Sequence, residues 1–173
     1  MSLKYIGLQA FLCCCSLQSI NLPVGIEYIG RDAFYNCINM ELADTTLPKT
    51  IRHIGECAFH STKGAIKITV PCEVDEIESS AFRNMSGTKK ITVNCRMPDK
   101  SRSKYLFSHC QQLEELTFHD ETLELPADAL YGCSALNKLK IGEVETTFDG
   151  TLIVTRLSIP FDIPSRIGEV HYK

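Results

Sequence analysis

Tryptophan is absent from this chain of 173 residues, and so is any long apolar run. A transmembrane helix needs about 18 consecutive apolar residues, so the sequence predicts no membrane span. Lys and Arg together number 18 against 21 Asp and Glu, which makes the net charge −3. Without a basic excess, nothing indicates a nucleic-acid partner or binding to an anionic membrane surface.

Sequence motifs of the common enzyme classes are also missing. The chain contains no G-x-S-x-G nucleophile turn, no G-K-[ST] phosphate loop and no H-E-x-x-H metal motif. Its Asp and Glu residues are scattered over predicted turns, where they act as solubilising charge. The sequence therefore predicts a protein that is not an enzyme and that uses no cofactor.

One short pattern, by contrast, recurs along most of the chain. A small or apolar residue followed by a large one returns at intervals of 23, 25, 23, 25 and 23 residues. The pairs are Ala10-Phe11, Ala33-Phe34, Ala58-Phe59, Ala81-Phe82, Leu106-Phe107 and Ala129-Leu130. A fixed period in the twenties indicates stacked repeats, none of which can bury its apolar face alone.

Each repeat divides into two parts with different spacing. One part ends in alternating apolar and polar residues, as in Ile68 and Val70, which predicts one short strand per repeat and a parallel sheet. The other part has apolar residues four apart (Ile29, Ala33 and Cys37), which predicts a short helix or 3₁₀ turn. Gly30 and its counterparts are expected to let the backbone turn. The repeated Phe residues are expected to form an internal aromatic ladder.

The repeats define the predicted domain organisation. Residues 1–142 form an array of about six repeats of 23–25 residues, and residues 143–173 form a degenerate C-terminal repeat or cap. The fifth repeat departs from the pattern between Asn94 and Lys104, where a polar, basic loop is predicted. At the start of the chain, Lys4 and the apolar run to Cys15 imitate a signal peptide. Because these residues match the repeat register, no signal peptide is predicted, and the chain is compatible with a fragment of a longer protein.

The repeated motif Ile-x-x-Ile-Gly-x-x-Ala-Phe-x-x-Cys-x-x-Leu-x-x-Ile-x-Leu-Pro resembles the BspA-like leucine-rich repeats of bacterial surface proteins. The resemblance covers residue 6 to about residue 142. It implies an α/β repeat solenoid, a right-handed superhelix with a parallel β-sheet on the concave face and short helical or 3₁₀ turns on the convex face. It also implies a role in adhesion or protein binding.

Nine cysteines are a high and odd number. Four of them, Cys14, Cys37, Cys110 and Cys133, follow the Phe or Leu of their repeat by three residues. A cysteine at a repeated apolar position is predicted to be a small core residue rather than part of a disulfide framework. Cys72 and Cys95 share another repeat position, after a strand, and are predicted to be more exposed and the pair most prone to oxidation.

Two residue groups have the spacing of metal or redox sites. His53, Cys57 and His60 would lie near one another on a helix and could ligate zinc. Their counterparts in the preceding repeat are unrelated residues, however, so they are interpreted as surface variation. Cys13, Cys14 and Cys15 lack a C-x-x-C partner. The prediction is therefore that the chain has no metal site.

The polar positions of the strands are the candidate binding surface. Repeat proteins use extended concave faces for recognition, although Thr also simply suits strands. The candidate residues are Thr46, Lys67, Thr69, Lys90, Thr92, Glu115, Thr117, Lys138 and Lys140.

These observations favour a non-catalytic interaction module that binds a protein partner, for example a host or extracellular-matrix protein, at a bacterial cell surface. Two alternatives stay open. The first is a cytosolic protein–protein interaction protein, favoured by the many thiols. The second is a carbohydrate-binding module, against which the scarcity of aromatic residues on the strands counts.

Overall fold

A computed structural model provides the structure of the chain. It describes residues 3–43, 46–97, 104–120 and 128–142, together with the strands at 144–147, 153–154 and 171–172. The strands of these residues are β1 Tyr5–Ile6, β2 Ser19–Ile20, β3 Tyr28–Ile29, β4 Glu41–Leu42, β5 His53–Ile54, β6 Lys67–Val70, β7 Glu76–Ile77, β8 Lys90–Val93, β9 Glu115–Phe118, β10 Lys138–Ile141, β11 Val144–Thr147, β12 Ile153–Val154 and β13 His171–Tyr172.

The repeats coil into a parallel-strand β-solenoid of about five turns. Each sequence repeat is called a rung here, and rungs one to six carry Phe11, Phe34, Phe59, Phe82, Phe107 and Leu130 respectively. Equivalent strands of successive rungs pair in parallel, with residues that are one repeat apart facing each other. The repeat period of the sequence is therefore the length of chain in one rung.

Two sheets of four and five strands run along the stack, in addition to the two-stranded sheets β2-β4 and β12-β13, whereas the sequence predicted one strand per rung. The short-strand sheet has the order β1-β3-β5-β7, and the long-strand sheet has the order β6-β8-β9-β10-β11. The Ile-x-x-Ile segments form the first sheet, because their final Ile residues (Ile29, Ile54 and Ile77) point inward and the preceding residues point outward. The long-strand sheet is the one that the sequence predicted.

The core lies between these sheets and the turns. In the long strands, inward residues alternate with outward ones, as in Ile68 and Val70 of β6. The predicted Phe ladder is confirmed: Phe34, Phe59, Phe82 and Phe107 have no exposed surface, and Phe11 is half-buried. Neighbouring rings stack with centroids 5.1–5.9 Å apart. Each ring thus buries its faces against the rings of adjacent rungs.

The predicted helical turns are not found, because the described residues contain no helix. In rung two, the N–H of Phe34 donates to Ala58 O of the next rung at 2.9 Å, whereas the N–H of Cys37 donates to Phe34 O within its own rung at 3.2 Å. This alternation requires left-handed backbone at Asp32 (φ 55°) and Asn36 (φ 59°). A right-handed helix cannot continue through such residues. The segment is a series of turns that share hydrogen bonds with the next rung.

The same two positions are left-handed in other rungs. Besides Asp32 and Asn36, these residues have positive φ: Gln9, Cys13, Cys57, Ser61, Ser80, Asn84, Tyr105, His109 and Gly132. A left-handed conformation costs a non-glycine residue roughly 1–2 kcal/mol. The hydrogen bonds between rungs and the burial of the Phe side chains compensate for this cost.

Glycine has a role other than the predicted one. Gly30 and Gly55 do not have positive φ; they allow two rungs to approach closely. A Cβ on Gly55 would lie 2.6 Å from Arg31 N and 2.8 Å from Gly30 C, and a Cβ on Gly30 would lie 2.8 Å from Gly7 C.

Three of the buried cysteines, Cys37, Cys110 and Cys133, share one contact. The Sγ of Cys37 donates to Phe11 O at 2.9 Å, and Cys110 and Cys133 donate to Phe82 O and Phe107 O of the preceding rung, both at 3.1 Å. Their prediction as core residues is confirmed. For Cys14 it was wrong, because Cys14 lies on rung one and is exposed. None of the described residues forms a rung that covers it.

The end of the array contains a hairpin. Strand β11 pairs antiparallel with β10, with Ile141 opposite Val144, and Gly142 between them has a φ of 56°. Strands β12 and β13 pair in parallel. Apart from the strands within it, the segment 143–173, predicted as a degenerate repeat or cap, lies outside the described residues, as does most of the predicted loop from Asn94 to Lys104.

Candidate interaction surface

The outward side of the long-strand sheet carries the residues that the sequence predicted as the candidate binding surface. It is called the strand face here and consists of Thr46, Lys67, Thr69, Lys90, Thr92, Glu115, Thr117, Lys138 and Lys140. All of them are exposed or half-exposed, while the residues between them are buried. The alternation follows from strand geometry, in which successive side chains point to opposite sides of a sheet.

Parallel pairing arranges these side chains in two columns. Lys67, Lys90, Glu115 and Lys138 are register partners in one column. Thr69, Thr92, Thr117 and Lys140 form the other, and Thr46 extends it through a bridge to Thr69. Because paired strands lie about 4.8 Å apart, both columns have a regular spacing along the stack.

Rung two interrupts the array. Glu41 pairs with Ser19 of rung one and with Gly64 of rung three, whereas Thr46 pairs with Thr69 of rung three. Asp44, which the sequence placed on the same face, lies outside the described residues.

Charge on the strand face is positive, although the chain is acidic overall. Four lysines accompany one acid, Glu115, whose Oε1 accepts a hydrogen bond from Lys90 Nζ at 2.7 Å. That hydrogen bond, supported by the charges of Lys90, Lys138 and Lys67, lowers the pKa of Glu115. Both partners are partly exposed, so the pair adds little to stability. The lysine column thus retains positive charge on either side of Glu115.

His53, Cys57 and His60, whose spacing suits a zinc site but which the sequence analysis interprets as surface variation, do not converge on one another. Among the described residues, the His, Cys, Asp and Glu side chains that converge as a group are His53, Glu76 and Glu78, without Cys57 or His60. His60 instead packs edge-on against Tyr35, with ring centroids 4.8 Å apart. Sequence reasoning missed the group of three. Its signal was Glu78, which occupies the position that Gly30 and Gly55 hold in the two preceding rungs.

A family model for the BspA type leucine-rich repeat region matches residues 4–137 and 98–167, with six copies. The chain belongs to this family. The BspA-type match agrees with the register of the rungs, and this family is not a catalytic one. No curated protein matches the chain significantly.

Two solved structures are similar to this BspA-type chain. A leucine-rich repeat protein from Bacteroides ovatus ATCC 8483 has a TM-score of 0.61 and 18% identity, over 98% of this chain and 49% of that one. A leucine rich cell surface protein from Faecalibacterium prausnitzii A2-165 has a TM-score of 0.44 and 18% identity, over 83% of this chain and 52% of that one. The chain therefore spans about half the length of both. The first likeness supports the fold alone.

The part of the chain that the structure describes includes no helix long and apolar enough to cross a membrane.

Proposed function

We propose that this BspA-type chain is a non-catalytic module that binds a protein partner through the strand face, which the family resemblance predicts to be concave. The observation that carries the proposal is the register of the two columns, which presents polar side chains at a repeated spacing. Solenoids use such extended surfaces for binding. A partner can therefore contact several rungs at once.

Charge favours an acidic partner. Lys67, Lys90 and Lys138 lie in one column and Lys140 in the other, within a chain of net charge −3. A local positive field of this kind accelerates association with an acidic surface and makes it depend on ionic strength. The threonine hydroxyls beside the lysines supply neutral donors and acceptors.

The family resemblance supports a location at a bacterial cell surface and a role in adhesion to a host or extracellular-matrix protein. One observation favours the alternative of a cytosolic interaction protein. Cys13, Cys14 and Cys15 are free and exposed, and free exposed thiols persist in reducing compartments. The carbohydrate alternative has less support, because none of the nine strand-face residues is aromatic.

The test is a pull-down from an extracellular-matrix extract with three forms of the protein. The first is the wild type, and the second carries Lys67→Glu, Lys90→Glu and Lys138→Glu. The third is a control with the same change in charge at exposed positions away from the strand face: Arg31→Glu, Lys49→Glu and Lys104→Glu.

We expect the strand-face variant to fold normally and to lose the partner, while the control retains it. Binding by the wild type should weaken as salt is added. Equal loss in both variants would show that total charge, not the strand face, determines binding. A glycan array run alongside separates protein recognition from carbohydrate recognition.

A further inference from the structure

Three potential metal ligands from two adjacent rungs converge on the short-strand sheet. His53 of β5 and Glu76 of β7 are register partners, so their side chains are neighbours on the same side of the sheet. Glu78 follows Glu76 by two residues, which in extended backbone directs it to that side as well. One ligand atom from each residue lies within 4.8 Å of the other two. This group is on a different sheet from the strand face.

Neighbouring groups hold two of the three side chains in position. The His53 ring stacks on Tyr28, with centroids 4.4 Å apart and an interplanar angle of 7°. The Oε2 atom of Glu78 accepts a hydrogen bond from the backbone N–H of Glu56 at 2.8 Å, which leaves Oε1 directed toward His53 Nε2 at 3.8 Å. In metal sites, contacts between the ligand side chains and neighbouring groups fix the orientation of the ligands.

The repeat does not require a carboxylate at position 78. Gly7, Gly30 and Gly55 occupy the same position in rungs one to three, and the short-strand sheet forms there without a side chain. Glu78 is thus a departure from the repeat, and its side chain reaches back over the preceding rung to Glu56. The stacking of the rungs does not require a carboxylate at this position. Because the Glu78 carboxylate is directed toward His53, it indicates a role other than folding.

We propose that His53, Glu76 and Glu78 bind a divalent transition-metal cation such as Zn²⁺ or Co²⁺. An imidazole nitrogen with carboxylate oxygens is a donor set for these ions, whereas Mg²⁺ and Ca²⁺ prefer oxygen alone. Metal–ligand distances of about 2.0–2.2 Å require ligand atoms roughly 3.3 Å apart in a tetrahedral site. The glutamate side chains, 29% and 35% exposed, have room to close that distance.

The geometry of three protein ligands leaves a coordination position for water or for a group on a partner. Two carboxylates also balance the charge of a divalent cation. The competing arrangement is an ion-pair network without metal, in which His53 Nδ1 lies 3.0 Å from Glu76 Oε2 and His53 Nε2 lies 3.8 Å from Glu78 Oε1. The experiment separates these two arrangements.

The probe is Co²⁺, titrated into the chelator-treated protein and followed by its visible absorption. Cobalt is chosen because thiolate ligation adds intense charge-transfer bands in the near ultraviolet, so binding at Cys13, Cys14 or Cys15 is recognised. The principal variant is Glu78→Gly, which restores the residue of the other rungs and should fold. A matched control, Glu114→Gln, removes an equally exposed carboxylate that pairs with Lys89.

We expect one Co²⁺ per chain, with a spectrum free of thiolate bands. Removing an outer-shell partner of a metal site costs about 10–100-fold in affinity, so loss of a direct ligand in Glu78→Gly should weaken binding at least about tenfold. The Glu114→Gln variant should bind like the wild type. Circular dichroism confirms that both variants are folded.

Wild-type affinity in Glu78→Gly, a spectrum dominated by thiolate bands, or no binding by the wild type would each overturn the proposal. The last result would leave His53, Glu76 and Glu78 as an ion-pair network.

Discussion

The thiol of Cys37 donates a hydrogen bond to the carbonyl of Phe11, one rung earlier. Because Cys110 and Cys133 repeat this contact, the cysteines connect successive rungs through their side chains as well as through burial. Burial raises the pKa of Cys133 to about 12 and also raises the pKa of Cys110. These thiols are therefore both covered and protonated at neutral pH.

Alkylation of the native protein should be fast at the exposed cysteines and slow at the buried ones. We expect iodoacetamide to modify Cys13, Cys14, Cys15 and Cys72 rapidly in the native protein, because all four are exposed. Cys95 was predicted to be more exposed than the core cysteines but is buried like them, and burial raises its pKa to about 11. It should react slowly, like Cys110, until urea unfolds the chain. Mass spectrometry of digests measures each rate, and rapid native modification of Cys110 would contradict the described packing.

Truncation within the Phe ladder should be costly. Phe82 stacks between Phe59 and Phe107 with no exposed surface. Phe82→Ala should lower the free energy of unfolding by about 3–5 kcal/mol, as large-to-small core substitutions do. Ile66→Ala is the control, because Ile66 is an apolar residue that is 71% exposed. Urea denaturation compares them, and similar losses for both would mean that the ladder is not the core.

Two glycines at the same repeat position should respond differently to alanine. Gly55→Ala places a Cβ 2.6 Å from the backbone of the preceding rung and should cost about 1–3 kcal/mol, as overpacking does. At Gly7 nothing lies within 4 Å of the added Cβ. Gly7→Ala should leave stability unchanged or raise it by up to about 1 kcal/mol. Thermal melting distinguishes the two, and the idea fails if Gly55→Ala melts like the wild type.

Acid should destabilise the protein partly through His60. Burial, with a smaller effect of Arg83, lowers the pKa of His60 in the folded state. The unfolded chain then binds the proton more readily, so stability falls as pH decreases below about 6.5, the ordinary value for histidine. His60→Phe keeps an aromatic ring against Tyr35 and should flatten this part of the pH profile.

The corresponding control is His119→Gln, since His119 is exposed. Its profile, measured by urea midpoints between neutral and mildly acidic pH, should follow that of the wild type. Identical profiles for His60→Phe and the wild type would rule out His60 as the source.

Features that follow from side-chain periodicity could be predicted from the sequence. Alternation in Lys67–Val70 places alternate residues on the strand face, and the repeated Phe residues specify the ladder. The turns could not be predicted in this way, because their hydrogen bonds depend on the next rung. Left-handed residues recur every four positions, at Asp32 and Asn36. That interval imitates helical spacing, which is why the segment around Phe34 was predicted as a helix.

Two further errors concern a residue on the first rung and a departure from the repeat. Cys14 matches its counterparts in sequence, but no described rung covers it. Glu78 was predicted to be ordinary surface charge because His53, its neighbour on the preceding rung, is distant in sequence. Comparing each position with its equivalent in the adjacent repeat would have revealed a carboxylate in a column of glycines.

Hydrogen bonds between turns, such as that from Phe34 N–H to Ala58 O, also affect how the molecule bears mechanical force. They lie along the stack, from one rung to the next. A pull that separates the two ends of the solenoid therefore places the full force on every interface in series, and the weakest interface separates first. A pull that acts on a partner spread over several rungs of the strand face is shared among their interfaces. An attachment at the strand face should consequently resist a greater force than one at either end.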